Sequence, residues 1–179
     1  MRWLRILLFA LTSLAALAVA AIVTPFVPHV ARFVSHRHDI AALIQSADPH
    51  EHPLPPMAAD QMEFLFRHET AWYAARFLTV KYDTPGHGTA WQIAWAAWGI
   101  MTKLFISEPD RLTLIAALAP LGNGRTDLNA VALTDFGKPL TEITPEQSAS
   151  LMVMLGCVHG NLATEAPKFL KTYQASRSP

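Results

Sequence analysis

From Ile6 to Val23 (ILLFALTSLAALAVAAIV) eighteen residues pass without a charge, and this run constrains the chain more than any other feature. It is close to the roughly 20 apolar residues that cross a bilayer as a helix. Arg2 and Arg5 precede it, with Trp3 at an interfacial position. The positive-inside rule therefore predicts a cytoplasmic N-terminus, with everything after Thr24 on the periplasmic or extracellular side of an inner or plasma membrane. Ala18-Val19-Ala20 also offers the small-x-small site at which a secretory signal is cleaved. A signal core usually has roughly 7–15 apolar residues; the longer run here favours an uncleaved single-pass anchor, residues 1–27.

The rest of a 179-residue chain is enough for one domain of ordinary size. Hydrophobic residues make up 51% and charged residues 16%, a balance that excludes disorder and predicts a buried core. Fourteen Lys and Arg against fourteen Asp and Glu leave no net charge, so no nucleic-acid partner is expected. Cys157 is the only cysteine, which rules out an intramolecular disulfide and a zinc site built on several thiolates. No cofactor is expected.

Residues 28–56 carry Pro28, Pro53, Pro55 and Pro56 around a short helical pattern from Asp39 to Ala47, which predicts a connector between anchor and body. Two H-x-H pairs, His36 with His38 and His50 with His52, lie in it. Such a pair can hold a metal if both rings are presented together, but further ligands are not evident, and a solvated polar linker with no metal is the expectation. The body, 57–179, reads as all-α. Ala58 to Leu78 has apolar residues at three- and four-residue steps, fitting one long or broken helix. Asp83 to Gly88 is a loop by its Pro and Gly content. Gln92 to Leu104 has almost no polar face and predicts a buried central helix. Ser107-Glu108-Pro109-Asp110 starts a helix running to about Leu118. Thr144-Pro145-Glu146-Gln147 is a capping box opening another that runs to Gly156.

These residues resemble a known family. Gly122-Asn123-Gly124, followed by the stretch from Leu128 to Gly156 with Phe136-Gly137-Lys138 and Glu142-Ile143-Thr144, is similar to the C-terminal part of the family 51 glycosyltransferase domain, the peptidoglycan transglycosylase. Upstream, the segment ending at His68-Glu69-Thr70 is similar to that family's E-D-x-x-F motif, and Gly86 to Gln92 to its G-G-S-T-I-T-Q-Q loop. The resemblance implies a lysozyme-like helical domain behind a membrane anchor, with Glu69 as catalytic base and Gly88, Thr89, Gln92, Asn123 and Lys138 as substrate contacts. It also implies the lipid-linked disaccharide-peptide precursor or glycan strands as ligand, and cell-wall synthesis proteins as partners. The chain departs from the family pattern in several places. Thr70 stands where the family has an aspartate, no carboxylate lies between Gln92 and Ser107, and Arg76, Lys81 and Lys103 are the nearby cations for a pyrophosphate. The chain resembles a shortened, degenerate member with an incomplete set of catalytic motifs.

On chemistry alone, a carboxyl flanked by Phe66, Trp72 and Tyr73 can have its pKa raised toward the working range by desolvation, as glycosyl transfer asks of a general base. Glu69 meets that requirement, or is a solvated helix residue beside His68. The functions in play are a glycosyltransferase, a non-catalytic glycan-binding or cell-wall scaffold relative, and a lytic glycan-cleaving enzyme on the same fold, which needs only one firm carboxylate.

Overall fold

The computed structural model describes residues 2–84, 86–121, 126–156 and 162–177, with side chains from residue 11 onward apart from residue 15. Every regular element among them is a helix, so the chain is all-α.

The apolar run forms α1 (Arg2–Val23). Pro25 and Pro28 do not stop it, because each falls in the first turn of the element that follows, where a missing N–H costs nothing: a 3-10 turn (Thr24–Phe26) and then α2 (Val27–Ser35). From Leu11 to Ser35 this makes a 25-residue helical stretch, long and apolar enough to cross a membrane; its most apolar 18-residue window has a mean hydropathy of 2.0, and none of that window is buried in the body. Leu14, Leu17 and Ile22 are each about two-thirds exposed.

The Pro/His segment differs from a solvated linker. It holds α2 and α3 (Arg37–Gln45), and Phe33, Ile40 and Leu54 enter the main core. Glu51 is 1% exposed. The apolar positions at 33 and 40 lie one face apart on two short helices, too sparse a pattern to read as amphipathic in isolation.

Ala58 to Leu78 takes the broken form, α4 (Pro56–Leu65) and α5 (Thr70–Tyr82). The break is a Schellman motif: His68 N–H donates to Glu63 O at 2.9 Å and Arg67 N–H to Phe64 O at 3.1 Å. Arg67 (φ 51°) and His68 (φ 62°) both adopt the left-handed conformation that glycine usually supplies.

α5 and α6 (Thr89–Phe105) form a helical hairpin across the 83–88 connection. Its close approach depends on Gly99, where a Cβ would lie 2.2 Å from the Trp72 ring. Trp95 Nε1 donates to Trp72 O at 2.8 Å and the two rings meet edge-on. α6 is central but not buried all round. Ala94, Ala97, Trp98 and Met101 face the core, while Ile100 is 48% exposed and Leu104 and Phe105 are each 69% exposed.

α7 (Glu108–Leu118) and α9 (Pro145–Leu155) begin where their caps predict. Ser107 accepts from Asp110 N–H, and Thr144 and Gln147 complete the reciprocal capping box. α7 packs on α5, and α9 on α4, α8 (Leu128–Phe136) and α10 (Leu162–Arg177). The core centres on Met62, Leu78, Trp98, Ile115, Leu128, Leu151 and Met152, all under 2% exposed.

Candidate functional site

Glu69 precedes α5, immediately after the Schellman turn. It is exposed, and its side chain makes no capping hydrogen bond. Phe66 is buried and packs at a tilt against Tyr73, ring centroids 4.1 Å apart, while Trp72 turns into the α5–α6 interface. The aromatics that were expected to desolvate Glu69 thus pack on one another and leave its carboxyl in water.

Gly88, Thr89 and Gln92 lie at the start of α6, also exposed. Gly88 (φ 71°, ψ −133°) caps the helix in a region open to glycine alone. The 13 residues of α5 separate this turn from Glu69, a span of roughly 20 Å at 1.5 Å per residue. The two motifs therefore sit at opposite ends of the hairpin rather than around one centre. Lys138 is exposed after Gly137, the left-handed cap of α8, and Asn123 lies outside the described residues. Arg76, Lys81 and Lys103 are all exposed on the hairpin.

The histidine pairs face different partners. His36 stacks on Tyr82 at 4.7 Å and bonds Asp39, His50 approaches Thr141, and His52 approaches Thr113. Among the described residues no three His, Cys, Asp or Glu side chains are grouped to hold a metal ion.

Beside the Glu69 turn opens a cleft of about 520 Å³, between the end of α4 and the end of α10. Asp60, Glu63, Phe64, Arg67, His68 and Arg177 line it. Asp60 is held by an ion pair with Arg177 and accepts from Tyr173 Oη at 3.2 Å. Phe64 packs edge-on against Phe169 and Tyr173. His68 Nδ1 lies 3.7 Å from Glu63. Carboxylates and guanidinium groups around the Phe64 ring can accept and donate hydrogen bonds to a hydroxyl-rich ligand.

Two buried carboxylates organise the body away from this cleft. Asp83, its side chain fully buried, accepts from His29 Nδ1 at 2.6 Å, from Trp98 Nε1 at 2.7 Å and from Arg32. Burial alone would raise its pKa, but the three hydrogen bonds outweigh that and hold it below the ordinary 3.8. Asp83 thereby ties α2, which continues the apolar helix, to the α5–α6 hairpin. Glu51 accepts from Asn129 N–H at 2.7 Å at the start of α8. Asn129 in turn bonds Asp48 at 3.0 Å and Leu140 N–H at 2.8 Å. Burial pushes the Glu51 carboxyl up to about 7; the Asn129 N–H lowers it, and the neighbouring Asp127 and Asp48 carboxylates add to the rise.

Neither buried carboxylate was legible in the sequence. Asp83 reads as the first residue of a Pro/Gly loop, and Glu51 as one polar residue in a connector, because their partners lie 54 and 78 positions away. Arg67 carries no sequence signal either; a left-handed turn is normally announced by glycine. No protein-family model matches the chain, nor does any curated protein or solved structure.

Proposed function

We propose that this chain is a membrane-anchored, glycosyltransferase-like protein that binds glycan strands or the lipid-linked disaccharide-peptide precursor without polymerising them. On this reading α1 is a single-pass anchor, the body lies on the periplasmic or extracellular side, and the helical fold is a shortened lysozyme-like one. The cleft beside the Glu69 turn carries the reading. It lies beside the turn that carries Glu69, and it combines the Phe64 ring with paired carboxylate and guanidinium groups. The same turn supports binding over chemistry. A general base must reach the attacking hydroxyl, and Glu69 is exposed and roughly 20 Å from the Gly88-Thr89 turn.

The test is equilibrium binding of soluble peptidoglycan glycan strands to the full chain in detergent. Wild type should bind. Glu63→Ala, which removes a rim acceptor, should weaken binding by about fivefold or more, and Glu69→Gln should leave it within twofold. Failure of the wild type to bind either strands or lipid-linked precursor would remove the proposal.

A further inference from the structure

Asp83 opens the connection between α5 and α6, and its bonds fix that connection to α2. His29 Nδ1 meets its carboxyl at 2.6 Å, and Arg32 donates to its carbonyl at 2.9 Å. Further along α2, the Phe33 ring lies 5.2 Å from Trp98 and 6.4 Å from Phe105, both on α6. The Thr24–Phe26 turn, which precedes α2 on the same helical stretch, also packs on α6. α6 therefore rises beside α2 in the same sense, with its first turns near Thr24–Phe26 and its last near Phe33. The hairpin tip, residues 86–92, points back toward α1. The apolar run ends at Val23, and His29 stands six residues on, roughly 9 Å along a helix. The headgroup layer of a bilayer is roughly 5–7 Å deep on each side of the hydrocarbon. With the Ile6–Val23 run filling the hydrocarbon, the connection begins near the outer edge of that layer and the tip reaches into it.

The chemistry of the tip suits that layer. Between Asp83 and Glu108 the chain carries no carboxylate, and the Asp83 side chain is itself fully buried, so no negative charge faces the lipid phosphates. Residues 86–90 and 92 are exposed, and Lys81, exposed at the end of α5, offers them a cation. Trp91 is half-buried, its ring 5.4 Å from that of Trp95, and among the described residues no group accepts from its Nε1. An indole with one side covered and its N–H free matches the way tryptophan sits at a membrane–water interface. Trp3 holds the corresponding place at the other end of the apolar run. We propose that the hairpin tip, with Trp91 at its centre, rests in the headgroup layer of the membrane that holds α1. The body is then attached at two points and stands upright on the surface instead of swinging on a single tether. This rests on the anchor reading and is independent of glycan binding.

The experiment places one fluorophore on the full chain, in a Cys157→Ser background, through Ala90→Cys, Leu104→Cys or Leu17→Cys. Each labelled chain is reconstituted in vesicles of phosphatidylethanolamine and phosphatidylglycerol. Ala90 is exposed at the tip, Leu104 is 69% exposed near the other end of α6, and Leu17 lies within α1. Fourteen residues of helix, roughly 21 Å, separate the first two. Iodide quenches from the water, and nitroxides on the lipid headgroup or acyl chain quench from the bilayer. At Ala90 the headgroup nitroxide should remove most of the emission while iodide leaves it. At Leu104 the two responses should exchange, and Leu17 should answer only to the acyl-chain nitroxide. Ala90 open to iodide with Leu17 shielded would overturn the hairpin contact and leave the anchor in place, whereas Leu17 open to iodide would end both. Shielding at Ala90 that disappears when the chain is diluted in excess lipid would give the tip to a second copy and overturn the proposal.

Discussion

Glu51 is a carboxylic acid buried among carboxylates, with the Asn129 N–H as its partner at a helix start. A folded-state pKa of about 7 against an ordinary 4.5 has a definite sign. Below pH 4.5 the group is protonated folded or unfolded. Between there and about 7 the folded chain keeps a proton that the unfolded chain has released, so stability falls as pH rises through that window, by on the order of 3 kcal/mol. Glu51→Gln keeps the acceptor for Asn129 and removes the charge. It should match wild type in thermal melts at pH 4.5 and exceed it at pH 8; coincident melts at pH 8 would show that the charge is accommodated. Asp83 behaves oppositely. Its lowered pKa means its contribution is intact above about 3.8 and is lost as pH falls through the folded value. Asp83→Asn should cost about 3 kcal/mol at pH 7, because His29, Arg32 and Trp98 lose a common charged acceptor. A loss below 1 kcal/mol in chemical denaturation would refute its role as the tie.

At the level of elements, sequence legibility followed the range of the interactions involved. The starts of α7 and α9 were readable to the residue because a cap is local, made by Ser107 with Asp110 and by Thr144 with Gln147. The α4–α5 break was foreseen only as an alternative, since Arg67 and His68 take the left-handed conformation without the glycine that would announce it. α6 illustrates the limit of reading polarity from one helix. A helix without a polar face was expected to be buried all round, yet Ile100, Leu104 and Phe105 stay open because α2 and α5 cover only the opposite side. What fixes α6 is the fit of Trp72 over Gly99. Gly99→Ala adds a methyl where the ring already lies 2.2 Å from the Cβ position. The variant should be destabilised by about 1–3 kcal/mol despite alanine's better helix propensity. A neutral or stabilised variant in urea unfolding would show that Trp72 moves aside freely.

Over the whole molecule the apolar helix was the most legible feature, being a matter of length and composition, and the candidate site was the least. Its motif residues were ordered correctly along the chain for the resemblance, but space separates them: Glu69 at one end of the hairpin, Gly88 and Thr89 at the other. The cleft is assembled from α4 and α10, whose lining residues span positions 60 to 177, and no local pattern reports such a pairing. The anchor reading predicts that the full chain sediments with membranes and resists high-salt and carbonate extraction, whereas a chain starting at Thr24 is released; extraction of the full chain by carbonate would contradict it. On the proposed reading the body holds glycan without joining it. The full chain is reconstituted in vesicles with radiolabelled lipid-linked disaccharide-peptide precursor, and bound precursor and polymer are measured together. Saturable binding with no polymer, unchanged by Glu69→Gln, is the result predicted. Polymer made by the wild type and abolished by Glu69→Gln would contradict it.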